Sequence, residues 1–216
     1  LFRTYRRTSQ QNDEGRIGMA VLTDIYQTLE DRGNYDEVEN HGPYYCALRD
    51  RRGNIKKGTK EPWLGEGFYF WDTRIGDARW WGETIYANYF KGYVVCHTCY
   101  DQHSPLLFDM VGSVAMFDEF ERCVEQVKAG RHIDRVSFPV VLEYMKREEG
   151  FNYKAIRVWP DPESQITNPQ IGVFFPGGKA TIRRVEKIQI CFFDTTLLVQ
   201  PFTIIEKHPF DTEYIV

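Results

Sequence analysis

Tyr69 and Trp80 stand eleven positions apart, the first within the aromatic run Gly67-Phe68-Tyr69-Phe70-Trp71-Asp72 and the second in the stretch that follows it. A flat heteroaromatic cation such as a nicotinamide ring binds best between two aromatic faces, where dispersion and the ring quadrupoles both favour it. Phe68 to Trp71 reads as a strand and Thr73 to Phe90 as a helix, so the two elements can present Tyr69 and Trp80 to one crevice. Upstream, His41 of the dipeptide His41-Gly42 offers a hydrogen bond to a sugar beside that ring.

Gly67 to Trp80, GFYFWDTRIGDARW, is similar in order and spacing to the Gly-x-Tyr-Phe-x-Asp and downstream aromatic segment of the ADP-ribosyltransferases of the diphtheria-toxin and poly-ADP-ribose polymerase branch. His41-Gly42 resembles the His-Gly on that branch's first strand. The resemblance implies that His41 holds the adenosine-side ribose of NAD and that Tyr69 and Trp80 sandwich the nicotinamide. Gly42 and Gly67 complete the implied cofactor-binding set. The family's Glu on a later strand, which binds the nicotinamide-side ribose, is matched by Gln170. That residue opens the apolar run Gln170-Ile171-Gly172-Val173-Phe174-Phe175, after a turn-rich loop holding Pro160, Pro162 and Pro169.

Two positions depart from the family pattern: Trp80 replaces the usual second Tyr, and Gln170 replaces Glu. Gln keeps a carbonyl acceptor for a ribose hydroxyl but loses the negative charge that favours an oxocarbenium-like centre. The implied activity is that of an NAD-dependent mono-ADP-ribosyltransferase, a toxin or defence effector that releases nicotinamide and passes ADP-ribose to a protein or nucleic-acid acceptor. Tyr69, His41 and Gln170 are its implied catalytic residues. Polymer formation is disfavoured by the missing Glu, and arginine modification by the lack of a Glu-x-Glu pair in Asn168-Pro169-Gln170. A noncatalytic NAD or ADP-ribose binding module and an RNA-directed phosphotransferase of related fold are the alternatives. The implied fold is α+β, a split pair of small mixed or antiparallel sheets flanked by helices.

With 216 residues, 42% of them hydrophobic, the chain can bury one substantial core. A single domain over 1–216 is expected, with the polar residues 1–13, which include Arg3, Arg6 and Arg7, as a loose arm. Twenty-seven basic and thirty-one acidic residues give a net charge of −4, which is no general nucleic-acid-binding signature. The local basic cluster Arg49, Arg51, Arg52, Lys56, Lys57 and Lys60 reads as a solvated hairpin or loop around Gly53-Asn54 and Gly58, the alternative being contact with the pyrophosphate of a dinucleotide or with a nucleic-acid backbone. No run of eighteen apolar residues is present, so no membrane-spanning helix is expected. Five cysteines fit a reducing, cytoplasmic setting better than a disulfide scaffold. The start at Leu1 rather than Met fits a chain whose export signal has been removed as well as one without such a signal.

Cys96-His97-Thr98-Cys99 invites a zinc reading. Cys96 follows the strand-like Gly92 to Val95, however, where neighbouring side chains point to opposite faces, so no metal is expected and the thiols read as structural. Cys46 and His41 are too far apart along an extended chain to form a nucleophile pair without a turn. Gly15 to Asp31 reads as a helix from its stripe Ile17, Val21, Ile25 and Leu29, capped near Gly33. Ser113 is the expected N-cap of a helix burying Phe117, Phe120, Val124 and Val127 and ending before Gly130. A further helix is expected from Ser137-Phe138-Pro139 to Gly150. Strands are expected at Tyr44 to Leu48, Phe68 to Trp71, Tyr93 to Tyr100, Tyr153 to Trp159, Gln170 to Phe175 and Val185 to Phe193. Helices between such unevenly spaced strands favour a mixed sheet.

Overall fold

The computed structural model describes residues 22–50, 52–56, 62–160, 171–174, 181–182 and 187–210. Its longest strand pair joins β1 (Leu22–Glu30) and β4 (Tyr93–Asp101) antiparallel, from Leu22 opposite Asp101 to Glu30 opposite Tyr93. β1 replaces the helix expected there. A spacing of four, as from Ile25 to Leu29, fits a strand face as well as a helical stripe, and the residues between decide the matter. Tyr26 and Thr28 are β-favouring types that pack on one face, while Ile25, Gln27 and Leu29 take the other.

Between those strands come α1 (Tyr35–His41), the short β2 (Tyr45–Cys46), β3 (Gly67–Asp72) and α2 (Ile75–Ile85). After β4 follow β5 (Leu107–Asp109), α3 (Val114–Arg131), α4 (Phe138–Glu148), β6 (Ala155–Val158), β7 (Ile171–Phe174), β8 (Thr181–Ile182), β9 (Gln189–Phe192) and β10 (Leu198–His208). The fold is mixed α+β. Strand order in the main sheet is β10-β4-β1-β3-β9-β6-β5, with β2 also on β3, and β7 pairs separately with β8. Only β5 and β6 run parallel among the described pairs. β10 has no counterpart among the expected strands. Pro201, which lowers its strand signal, falls in the register shift between Val199 and Thr203, where an edge strand tolerates proline.

The two small sheets expected from the sequence are hydrogen-bonded into one path, yet the joint is narrow. β1 meets β3 only at Ile25 opposite Asp72 and Tyr26 opposite Trp71, while β2 pairs the start of β3. Where the strands part, the buried Gln27 amide closes the gap: its Nε2 donates to the Tyr44 and Tyr69 carbonyls, and its Oε1 accepts from Tyr44 N. Unpaired buried backbone groups at such a split would be costly, so a Gln at this point preserves the joint.

Three apolar clusters cover the sheet. Ile25, Phe70, Val94, Cys96, Phe192 and Phe202 form one, closed by Val38 of α1. On the other face, Ile156, Cys191 and Tyr69 pack under α3 and α4, and Trp71, Tyr93 and Val95 pack under α2. α2 is fastened to the sheet by Thr28 Oγ1 donating to the Ala78 carbonyl at 2.8 Å. No described helix is long and apolar enough to cross a membrane.

Candidate functional site

β3 passes to α2 through Thr73, a β-branched residue at φ 62, a backbone region where such residues are strained. The turn is held by Thr73 N donating to the Asp24 carbonyl at 2.9 Å and Thr73 Oγ1 donating to Asp72 Oδ1 at 3.1 Å. This corner aims α2 back over the strand, so that Trp80 meets Trp71 edge-on, with centroids 6.0 Å apart. Trp81 lies 5.7 Å from Trp71, and the three indoles form one cluster. Trp71 is buried, whereas Trp80 is 37% exposed and carries the Lys187 ammonium 3.6 Å from its ring centroid.

Tyr69 shares the Trp71 face of β3, so the structure brings Tyr69 and Trp80 to the same side of the sheet. The β3 ring that meets Trp80 is that of Trp71. Tyr69 is instead pinned at its hydroxyl, which accepts from Leu64 N at 2.8 Å and donates to the Gly65 carbonyl at 2.7 Å. Burial pushes its phenol well above the ordinary range.

His41 lies elsewhere. It is the last residue of α1 rather than part of a first strand, is exposed, and places Nδ1 3.2 Å from the Glu37 carbonyl. Because α1 packs through Val38 on the Phe70 face, the sheet separates His41 from the indole cluster. Gly42 and Gly67 both have packing reasons to be glycine. A Cβ on Gly42 would come within 2.3 Å of the Phe202 ring, and one on Gly67 within 2.6 Å of Cys191 Sγ and the Phe192 carbonyl. Gln170 lies outside the described residues.

No protein-family model, curated protein or solved structure matches the chain.

Beyond the indoles, the same face carries a polar group that draws His97 and Cys99 from the Cys96-His97-Thr98-Cys99 run and Asp24 from β1. Tyr26 lies opposite Trp71 on β1 and packs its ring against His97 at 5.6 Å. His97 Nε2 is 2.9 Å from Asp24 Oδ1, and the Cys99 thiol donates to the same oxygen at 3.4 Å. The bond from His97 holds the Asp24 carboxyl below its ordinary value, while burial and then the Asp24 carboxylate push the Cys99 thiol up. Cross-strand register made this group: Asp24 is paired with Cys99, and Tyr26 with His97.

Along β10, Glu206 receives the Arg79 guanidinium from α2, Nε to Oε2 at 2.9 Å, and lies 3.0 Å from His208 Nε2. His208 in turn stacks on Tyr93 at 4.3 Å. The Arg79 bonds hold the Glu206 carboxyl at about 2, below its ordinary 4.5, against an opposing effect of burial and with a further contribution from His208. A carboxyl lowered on folding stabilises the protein above its unfolded value and loses that contribution as pH falls through the folded one. Glu206→Gln is therefore expected to lower stability at neutral pH on the small scale of an exposed ion pair, with the gap to wild type closing between about pH 4.5 and 2. Denaturant midpoints measured across that range check it; a gap that widens on acidification would refute the pairing.

Proposed function

We propose that the chain is an NAD-dependent mono-ADP-ribosyltransferase that releases nicotinamide and passes ADP-ribose to a macromolecular acceptor, in the manner of a toxin or defence effector. The observation that carries this reading is the exposed Trp80 ring, set by α2 on the Tyr69 and Trp71 face of β3 and already holding an ammonium group on its own face. A ring face that attracts Lys187 will also attract the cationic pyridinium of NAD, and Lys187 is the group that must yield to it. The resemblance of Gly67 to Trp80 and the narrow joint between the two halves of the sheet agree with an ADP-ribosyltransferase-like fold.

In this reading the nicotinamide lies on Trp80, and the Tyr69 ring, locked by its hydroxyl, forms part of the wall behind it. His41 lies across the sheet, so the sugar contact passes to Tyr26, which stands opposite Trp71 on β1. Cleavage of the glycosidic bond turns the pyridinium into neutral nicotinamide and leaves positive charge on the ribose carbon. Gln170 contributes a carbonyl that orients the ribose while the acceptor attacks.

Incubation with NAD should release nicotinamide. Gln170→Ala is expected to lower turnover by about one to three powers of ten while leaving affinity for NAD nearly unchanged. Trp80→Ala is expected to weaken NAD binding by about 1–2 kcal/mol, read by calorimetry. Saturable binding without nicotinamide release would make the protein an NAD or ADP-ribose binding module. Failure to bind NAD at all would remove the proposal.

A further inference from the structure

Alternation along β4 keeps Cys96 away from His97, but it also places His97 and Cys99 on one face, two positions apart. Cys96 itself is buried in the opposite cluster. The β1–β4 register then delivers Asp24 to the same spot from the neighbouring strand. The three ligand atoms converge: Asp24 Oδ1 to His97 Nε2 is 2.9 Å, Cys99 Sγ to Asp24 Oδ1 is 3.4 Å, and Cys99 Sγ to His97 Nε2 is 3.7 Å. A tetrahedral zinc ion with bonds of about 2.0–2.3 Å needs its ligand atoms separated by about 3.3–3.6 Å. Shifts of a few tenths of an ångström would therefore admit the ion.

We propose that Asp24, His97 and Cys99 form a three-ligand site for a divalent zinc-class metal ion, with the fourth position open to water on the exposed face of the β1–β4 ladder. The ligand set selects the metal class. Thiolate and imidazole together favour zinc over magnesium or calcium, which prefer oxygen donors. The scaffold is also suited to the task, since all three residues lie on strands paired along their full length rather than on loops.

A competing reading, a Cys-His-Asp nucleophile system, does not fit the same atoms. In such a relay the carboxylate and the nucleophile engage opposite ring nitrogens, whereas here both face Nε2. The convergence on one point is what a shared ion requires. The site is independent of the NAD reading, although Tyr26 links the two places by packing on His97.

The test uses the full chain, stripped with a chelator and titrated with Zn2+ against a chromophoric competitor, with Co2+ as a spectroscopic probe. Uptake of one ion per chain is expected, with a thiolate-to-cobalt charge-transfer band that disappears in Cys99→Ser. His97→Ala and Asp24→Asn should each weaken Zn2+ binding by at least about a hundredfold, since even outer-shell changes cost ten- to a hundredfold. Cys46→Ser, at an exposed thiol outside the group, should change nothing. Because the thiol proton must leave, affinity should rise with pH. No stoichiometric uptake, no thiolate band in the wild-type chain, or uptake unaltered by Cys99→Ser and His97→Ala would each overturn the site. Circular dichroism confirms that each variant is folded, and the wild-type spectrum decides the matter even if one is not. Nicotinamide release is scored separately, so loss of either activity does not count against the other.

Discussion

Arg157→Ala is expected to cost about 3–5 kcal/mol of folding stability, the scale for removing one member of a buried ion pair. Arg157 projects from β6 into the face shared by Phe70 and Ile190, with its side chain 9% exposed. Its Nε and Nη2 donate to Asp72 Oδ2 at 2.8 and 2.7 Å, and Nη1 donates to Asp109 Oδ1 at 3.1 Å. Asp72, at the end of β3, has no exposed side-chain surface and is also reached by the Tyr100 hydroxyl at 3.4 Å. Without the guanidinium, one carboxylate is left fully buried and a second partly so, with no cation between them. Asp109→Asn should cost much less, because Asp109 is 17% exposed and its loss leaves the Arg157–Asp72 pair intact. Urea denaturation of the two variants checks the order. A loss below about 1 kcal/mol for Arg157→Ala would mean that water reaches Asp72 as it reaches a surface pair.

The parts of the fold that were legible from sequence are those whose signals are local. β3, β4 and β6 are runs of β-branched and aromatic residues within a residue or two of their observed bounds. α3 begins where Ser113 predicts, with its hydroxyl accepting from Met116 N at 3.3 Å. Its end and its buried face were harder to read. The helix runs through Gly130 to Arg131 and is closed by His132 in the left-handed region at φ 55. Its inner stripe includes the buried Cys123 and Val127, while Phe117 is 44% exposed. The basic cluster is a hairpin in its described part, where Arg49 bridges Ile55 and the Asp50 carboxylate accepts from Arg52 N and Asn54 N. Arg51, Lys57 and Lys60 fall outside the described residues.

Long-range pairing is what a single sequence conceals, and the candidate sites show the consequence. Trp80 over the β3 face follows from a strand, a short turn and a helix, all contiguous, so its side of the sheet was readable from spacing alone. Asp24 beside Cys99 follows from the register of strands 75 residues apart, and reading β1 as a helix hid that neighbour. His41-Gly42 closes α1 instead of lying on a first strand, and β1, the first described strand, carries no His-Gly. Lys187 reaches Trp80 from the chain just before β9, again a contact with no local trace.

Trp71→Ala is the second large loss, also expected at about 3–5 kcal/mol, because truncating a buried Trp adds a cavity to the lost transfer energy. The size of the effect depends on whether α2 can settle into the space. Two contacts oppose that movement: Thr28 holds the Ala78 carbonyl, and Gly82 already lies so close to Tyr93 that a Cβ there would come within 2.3 Å of its ring. With α2 held at both points the cavity remains, and Trp80 and Trp81 lose the ring between them and the sheet. The near-ultraviolet circular dichroism of the indole cluster should weaken along with the midpoint. Trp71→Phe keeps a ring on β3 and should recover most of the stability, so comparison of the two separates cavity cost from loss of an aromatic contact. A Trp71→Ala midpoint equal to wild type would show that α2 does settle, and the Trp80 ring would then no longer be fixed over the Tyr69 face where the nicotinamide is proposed to bind.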